Sequence, residues 1–476
     1  MAPIVRFRFR TIVVMGAAFL GACSTMPRER PTAPALAATW QDVPVGANVA
    51  LTNWWEGFND PELDRLIGEA LAEGPSLQLA AARVREARAL SRATIAQYLP
   101  ELNASGSGQY TRSLEGGDLA PGEREQMLGS YGPQVSWEVP LWGRIEATAV
   151  GARAQRRAAL ADYRGAQVAL VADIAQAYVD LRAANASRLA LQRSIESADE
   201  LARILEISAR AGITAEADAA NARRLAEITR ARLPGLVIEA RRAENVLAVL
   251  RGVAPGNESA ELRAAIAQLD APVPHLDLAE APGAPADLLR LRPDVAAAEA
   301  QALLAAAAVS DARTNLLPRL NLSGSISVTD ALIGNPTGAG VTIAQATPLI
   351  SIPLFDWGAR LAAVGQRNAQ FDQRLIEYRQ TVLSAVAEAS NALTSLDQGS
   401  RRLVSARAAE QAAERSATGS RAAYQAGIQS LTDRLQSEQQ LIDATLSRID
   451  AESQQARAAI ATYRAFGGGP AITPRV

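Results

Sequence analysis

Two stretches without proline constrain this chain more than anything else in it: residues 143–210 and 358–424, each rich in Ala, Arg and Gln. Good helix formers with nothing to interrupt them predict one helix apiece, each on the order of 100 Å long at about 1.5 Å per residue. Within the second, Phe371, Leu375, Tyr378, Val382, Ala385, Ala389, Ala392 and Leu396 alternate spacings of four and three. That is a coiled-coil heptad in which small Ala residues allow close approach. Helices of this length cannot fold back into a compact ball, so they are expected to build a tube or rod.

Each stretch ends in the same turn. Residues 209–218 read ARAGITAEAD and residues 424–433 read YQAGIQSLTD. Gly212 and Gly427 suit a left-handed helix C-cap, and the Ser- and Thr-containing residues after them suit the next N-terminus. Asp218 and Asp433 follow their glycines at the same distance. One copy alone would be an ordinary helix–helix turn, but the repetition reaches further. LPELNASGS from Leu99 answers LPRLNLSGS from Leu317, and PLWGR from Pro140 answers PLFDWGAR from Pro353. The chain therefore reads as a duplicated helix–strand–strand–long helix–long helix unit. Its first copy is 53–270 and its second 287–466, joined by a Pro-rich connector, 271–286, and followed by a tail, 467–476.

The strands are expected at about 102–111, 130–139, 320–329 and 341–352. Leu320, Leu322, Gly324, Ile326 and Val328 alternate with Asn321, Ser323, Ser325, Ser327 and Thr329, a period of two. Neutral polar residues opposite apolar ones over about ten positions also mark a strand of an outer-membrane barrel. Four strands cannot close a barrel whose smallest examples have about eight, and lipid tolerates no open sheet edge. Strands must then be pooled between chains.

At the N-terminus Arg6, Arg8 and Arg10 precede the apolar run 11–20, a secretory signal over residues 1–22. It closes with Leu20-Gly21-Ala22-Cys23, which matches a bacterial lipobox, and Cys23 is the sole Cys. Acyl chains on Cys23 would anchor the chain to outer-membrane lipid without spanning it. Residues 23–52 then form a Pro-, Ala- and Thr-rich tether. No apolar run beyond the signal reaches the ~18–20 residues of a spanning helix. Asp60-Pro61 predicts a helix start, broken at Gly74-Pro75 and resumed to about Tyr98.

The chain contains no Lys, and its formal charge of −2 falls to about −5 once Arg6, Arg8 and Arg10 leave with the signal. No basic patch with interleaved aromatics points to nucleic acid. Nor is there a catalytic set: His275 is the only His, in a Pro-flanked connector, and no phosphate loop, metal cluster or nucleophile elbow occurs. No enzyme activity and no cofactor are expected.

These residues resemble the TolC-like outer-membrane efflux family, in its lipidated drug-efflux branch (OprM/NodT-like). The resemblance is carried by Trp54-Trp55…Phe58…Asp60-Pro61, Trp137-Glu138…Gly143-Arg144, PADLLRLRPDVAAAE at 285–299, Ala312-Arg313…Leu317-Pro318, Pro353-Leu354-Phe355-Asp356…Gly358 and the two Ala-Gly-Ile turns. It covers nearly all of the mature chain. It implies a mainly α fold with a membrane β-barrel: a homotrimer whose twelve strands form an outer-membrane barrel continuous with a periplasmic α-helical barrel. It also implies a passive exit duct of a tripartite system, whose partners are a periplasmic adaptor and an inner-membrane RND-type pump. The Gly turns would form the periplasmic mouth, where Gly212, Asp218, Tyr424, Gly427, Asp433, Arg434, Gln436 and Gln439 are candidates for gating or adaptor contact. Acidic rings of Asp218 and Asp433 would favour cations. Gln436 and Gln439 stand where relatives commonly carry an Asp and an Arg that help lock the mouth. Either hydrogen bonds replace those charges, or Asp433, Arg434 and Glu438 act in a shifted register. The alternatives are a type I protein-export duct and a non-conducting structural coiled-coil lipoprotein.

Overall fold

The computed structural model describes residues 32–40, 50–112, 125–257, 263, 268–276, 284–333 and 341–471. The signal and Cys23 lie outside the described residues. In the first copy, helices α1 (Pro61–Glu73) and α2 (Pro75–Ala96) precede strands β1 (Glu101–Arg112) and β2 (Glu125–Val139). Then come α3 (Arg144–Arg210) and α4 (Glu216–Leu250). The second copy opens with a 3-10 turn (Pro285–Asp287) and a short α5 (Leu288–Leu291). It continues with α6 (Pro293–Thr314), β3 (Arg319–Ile333), β4 (Val341–Ser351), α7 (Ala359–Gln425) and α8 (Leu431–Ala465). Equivalent helices have equal lengths in the two copies: 22 residues for α2 and α6, 67 for α3 and α7, 35 for α4 and α8.

The sequence copies are not the compact units. One unit comprises Arg85–Ala158 with Ala298–Tyr378; the other draws on Ala33–Val84, Ala159–Ala297 and Arg379–Val476. Each unit takes residues from both copies.

The first unit holds an antiparallel meander in the order β1-β2-β3-β4. Gly132 and Pro133 interrupt the β2–β3 ladder. Pro133 has no N–H to give. A Cβ on Gly132 would lie 1.9 Å from the Ile326 carbonyl oxygen, so only glycine fits. Arg144 pairs with Glu138 at 2.6 Å and Asp311 at 3.3 Å, tying α3 to β2 and α6. Helix α6 is, against expectation, long and apolar enough to cross a membrane. Its Ala300, Ala302, Ala307, Val309 and Ala312 are buried, so much of that apolar surface is used in packing.

The second unit contains the main core. Leu63, Leu66 and Ile67 of α1 are fully buried with Ile174, Tyr178 and Leu181 of α3 and Ile460 of α8. Asp60 caps α1 by accepting from the amides of Glu62 (3.0 Å) and Leu63 (3.3 Å), and its second oxygen accepts from Tyr178 Oη at 2.8 Å. Trp54 stacks on Tyr463 with ring centroids 4.9 Å apart. Buried Arg292 starts α6 and donates to Asp294, to Glu388 of α7 and to the Ala465 carbonyl that ends α8. The heptad positions of α7 are buried as its spacing requires, Leu375 only in part.

Two segments read as free connections are docked. Trp40 of the tether packs edge-on against Phe466 at 5.7 Å, and Thr52 bridges in parallel to Gly469 of the tail. In the connector, Pro274 and Leu276 are buried and the Leu276 carbonyl accepts from Gln455 Nε2 at 2.9 Å, while His275 stays exposed. Their apolar residues, sparse as they are, find the core.

Candidate functional site

The sheet presents two chemically distinct faces. Pairing places Leu102 beside Val135, Gly106 beside Tyr131, Trp137 beside Leu322, and Leu322 beside Pro348, so one face is apolar across all four strands. The other carries Asn103, Ser105, Gln134, Ser136, Asn321, Ser323 and Thr347, with Leu349, Ile343 and Val341 of β4 breaking the pattern opposite Asn321, Ser327 and Thr329. Leu102 is 74% exposed and Ile350 64%, although nothing soluble gains from such a surface. β1 and β4 are exposed along their whole length, each with one edge unpaired among the described residues. A row of unpaired backbone groups is a template for another strand. Apolar outside, polar inside and open at both edges, this is a segment of barrel wall.

The strands pass into the long helices through a matched pair of strained residues. Trp142 and Trp357 have φ of 59° and 56°, each followed by a glycine at positive φ. A bulky residue in that region costs of order 1–3 kcal/mol and persists only where its surroundings hold it. Helix starts and tryptophans together make Trp142 the equivalent of Trp357. The Pro140–Pro353 match of the sequence is thus displaced by two residues, and the extra Phe-Asp lies on the strand side. Trp142 donates through Nε1 to the Pro318 carbonyl at 2.8 Å; Trp357 is 91% exposed, its ring 4.9 Å from that of Phe355 between centroids.

The helix turns, in the other unit, form a second candidate region. Gly212 and Gly427 have φ of 72° and 71°, the left-handed caps their positions call for. In each, the glycine amide and the amide after it close the helix: Ile213 donates to Ser208 at 2.8 Å, and Ile428 to Ala423 at 2.8 Å. Leu431 is buried with Leu201, Leu205, Ala219 and Ala222, with Tyr424 and Leu435 packed alongside. The two turns therefore share one apolar cluster.

Around that cluster the candidate residues separate. Asp433 is a cap: its amide donates to Ser430 Oγ at 3.2 Å, and its carboxylate accepts from Ser430 Oγ at 2.7 Å and from the Ser430 amide at 3.3 Å. Asp218, half-buried in the first turn of α4, faces no such serine because Ala215 holds the N-cap. Arg434 lies over the Tyr424 ring at 5.2 Å, and its buried Nε has no hydrogen-bond partner among the described residues. Burial lowers its guanidinium from the ordinary value, Arg421 acts in the same direction, and Glu438 and Tyr424 oppose them. Glu438 is held by Arg421 at 2.7 Å. Gln439 donates to Asp443 at 3.1 Å, and Asp443 pairs with Arg232 of α4 at 2.7 Å. Burial pushes the Asp443 carboxyl up, but hydrogen bonds from Arg232 and Gln439 outweigh it and hold the group below its usual value. Gln436 is exposed. Sequence reasoning missed Arg421, Arg232 and Asp443, whose partners lie a helix away and leave no local spacing to read.

Comparison with known proteins bears on both regions. The outer membrane efflux protein family matches residues 66–253 and 284–468, most of both copies. This chain belongs to that family. Outer membrane protein OprJ of Pseudomonas aeruginosa is 31% identical over 386 residues, 79% of this chain and 78% of its own length. The pyoverdine export outer membrane protein OpmQ of the same species is 30% identical over 403 residues, 81% of each chain. Among solved structures, the outer-membrane channel OprN superimposes with a TM-score of 0.82 at 30% identity, covering 94% of this chain and 99% of its own. The protein is an outer-membrane efflux channel with a TolC-like fold, reaching into the periplasm.

Proposed function

We propose that the chain works as a homotrimeric, passive exit duct for small molecules such as drugs, in a tripartite system with a periplasmic adaptor and an inner-membrane RND-type pump. The observation that carries this reading is the open-edged sheet with one apolar and one polar face. Three copies pool twelve strands, within the range of closed transmembrane barrels. In this reading residues 1–22 are removed, Cys23 carries the acyl anchor, and no catalysis takes place. The Gly212 and Gly427 turns make the periplasmic tip that meets the adaptor. Asp218 and Asp433 lie near the constriction, with Tyr424, Arg434, Gln436 and Gln439 beside it. The unpartnered Nε of Arg434 supports a role in closing the mouth, since a buried donor calls for an acceptor.

Deleting the gene should raise the sensitivity of its host to small toxic molecules, and the intact chain should restore resistance. Loss of a secreted polypeptide with unchanged sensitivity would instead favour the protein-export duct. Asp433→Ala should change the channel's cation selectivity; an unchanged channel would leave Asp433 as a helix cap alone.

A further inference from the structure

The polar face of the sheet is not polar throughout. β1 carries Asn, Ser, Gln or Thr at every position on that face from Asn103 to Thr111, and β3 does the same from Asn321 to Thr329. β4 departs from the rule. Val341, Ile343 and Leu349 stand on the polar face, opposite Thr329, Ser327 and Asn321, and are between 49% and 60% exposed. Leu128 of β2, opposite Gln109, is exposed on the same face. We propose that Leu128, Val341, Ile343 and Leu349 form an apolar contact track on the water-facing wall of the duct, which binds the apolar part of uncharged solutes passing along it. This rests on the duct reading above and adds the kind of molecule that the wall holds.

The internal duplication supports the track independently of exposure. The two hairpins match, because Glu101 faces Ser136 as Arg319 faces Ser351. The same match takes Gln109 to Ser327 and Leu128 to Ile343. Each copy therefore sets one large aliphatic side chain at the same place on an otherwise polar face. β4 extends the feature, with Leu349 where β2 has Gln134 and with Val341 one step beyond Ile343 on the same face.

The surroundings of these residues select the occupant. Covering them with lipid would also bury the hydroxyl and amide groups beside them, so lipid takes the opposite face. Against water, exposed aliphatic groups gain from any apolar group that displaces it. Charge plays no part along the track. Glu101, Glu138 and Arg319 lie at the helix end of this face, and the described residues between them and the hairpin loops are neutral there. Between Ile343 and Leu349, Gln345 donates to Thr347 Oγ1 at 3.4 Å, so that amide is engaged along the strand. The Ser and Thr hydroxyls alongside can exchange hydrogen bonds with a polar end. The chemistry suits a neutral molecule with an aromatic or aliphatic body and a hydroxylated end.

The test records single-channel current through the full-length chain in a planar bilayer, with glucose and with phenyl glucoside. The second probe is the same uncharged sugar carrying one apolar ring. Phenyl glucoside should add concentration-dependent interruptions of the current that glucose does not. Val341→Thr with Ile343→Thr keeps β-branched side chains on the strand and should lower the apparent affinity about tenfold. Leu349→Thr should lower it about threefold. Gln345→Leu, which joins the two parts of the track, should raise it about threefold, a gain that misfolding does not produce. Thr342→Val, on the opposite face of the same strand, should leave it unchanged. Equal interruptions by the two sugars overturn the track while the current itself shows the duct intact. So does an affinity unmoved both by Val341→Thr with Ile343→Thr and by Gln345→Leu. Absence of any current overturns the duct reading and the track with it.

Discussion

The two compact units of this protein differ in how far each buries its largest apolar residues. In the unit around α1, α3 and α8, one set of large apolar side chains forms a closed core, with Leu63, Leu66, Ile67, Tyr178 and Phe466 essentially unexposed, while Ile238, Val404 and Ile428 stand out from its surface. In the unit around the sheet, Leu102, Tyr131, Ile326 and Ile350 stand out from the surface. The first is a core that a single chain completes. In the function proposed above, the second needs other copies along its edges and lipid across its apolar face. The contrast teaches that one sequence can specify a closed core and an open sheet, each encoded by where its apolar periodicity points.

The largest effect should come from the completed core. Phe466→Ala removes a fully buried ring and should cost about 3–5 kcal/mol in denaturant unfolding of the helical signal. Ile350→Ala should leave that transition nearly unmoved; an equal loss at both positions would break the distinction. Next, Ile350→Arg should impede membrane assembly by about 2–4 kcal/mol if it lies near the bilayer midplane. Ser325→Arg, on the opposite face, should assemble and shift ion selectivity instead. Heat-resistant multimers on gels and single-channel recordings read the two outcomes.

Smaller effects distinguish the two turns. Ser430→Ala removes the cap that Asp433 completes and should cost about 1 kcal/mol of thermal stability. Ala215→Ser should stabilise by about 0.5–1 kcal/mol, because Asp218 already stands where the reciprocal partner belongs. The smallest effect concerns acid. Asp443 is held below its usual value in the folded chain, so its contribution is present above the unfolded pKa and fades as pH falls through the folded one. Arg232→Gln should flatten that part of the acid titration of stability, measured by unfolding at a series of pH values.

Much of this was legible in the residues because the strongest signals are periodic or local. The helix ends at Arg210 and Gln425, the left-handed Gly212 and Gly427, and the cap at Asp60 all follow from spacing and backbone preference. The β2 strand was legible only in part. It begins at Glu125, five residues before its alternation becomes clear, since Glu125 and Gln126 look like loop yet pair with Arg112 and Thr111. Long-range polar contacts were not legible at all. Arg292 reaches Glu388 and Ala465, and Arg232 reaches Asp443, through packing that brings distant helices together. The unequal fates of Trp142 and Trp357 were hidden too, because the sequence repeats the residue but not its neighbour.

The most direct measurement is single-channel current after planar-bilayer insertion of the purified full chain. Stable, discrete conductance steps from a multimer, lost together with assembly in Ile350→Arg, are expected if the strands of several copies close one water-filled wall. A protein that stays soluble after removal of its acyl chains and never conducts would contradict that account.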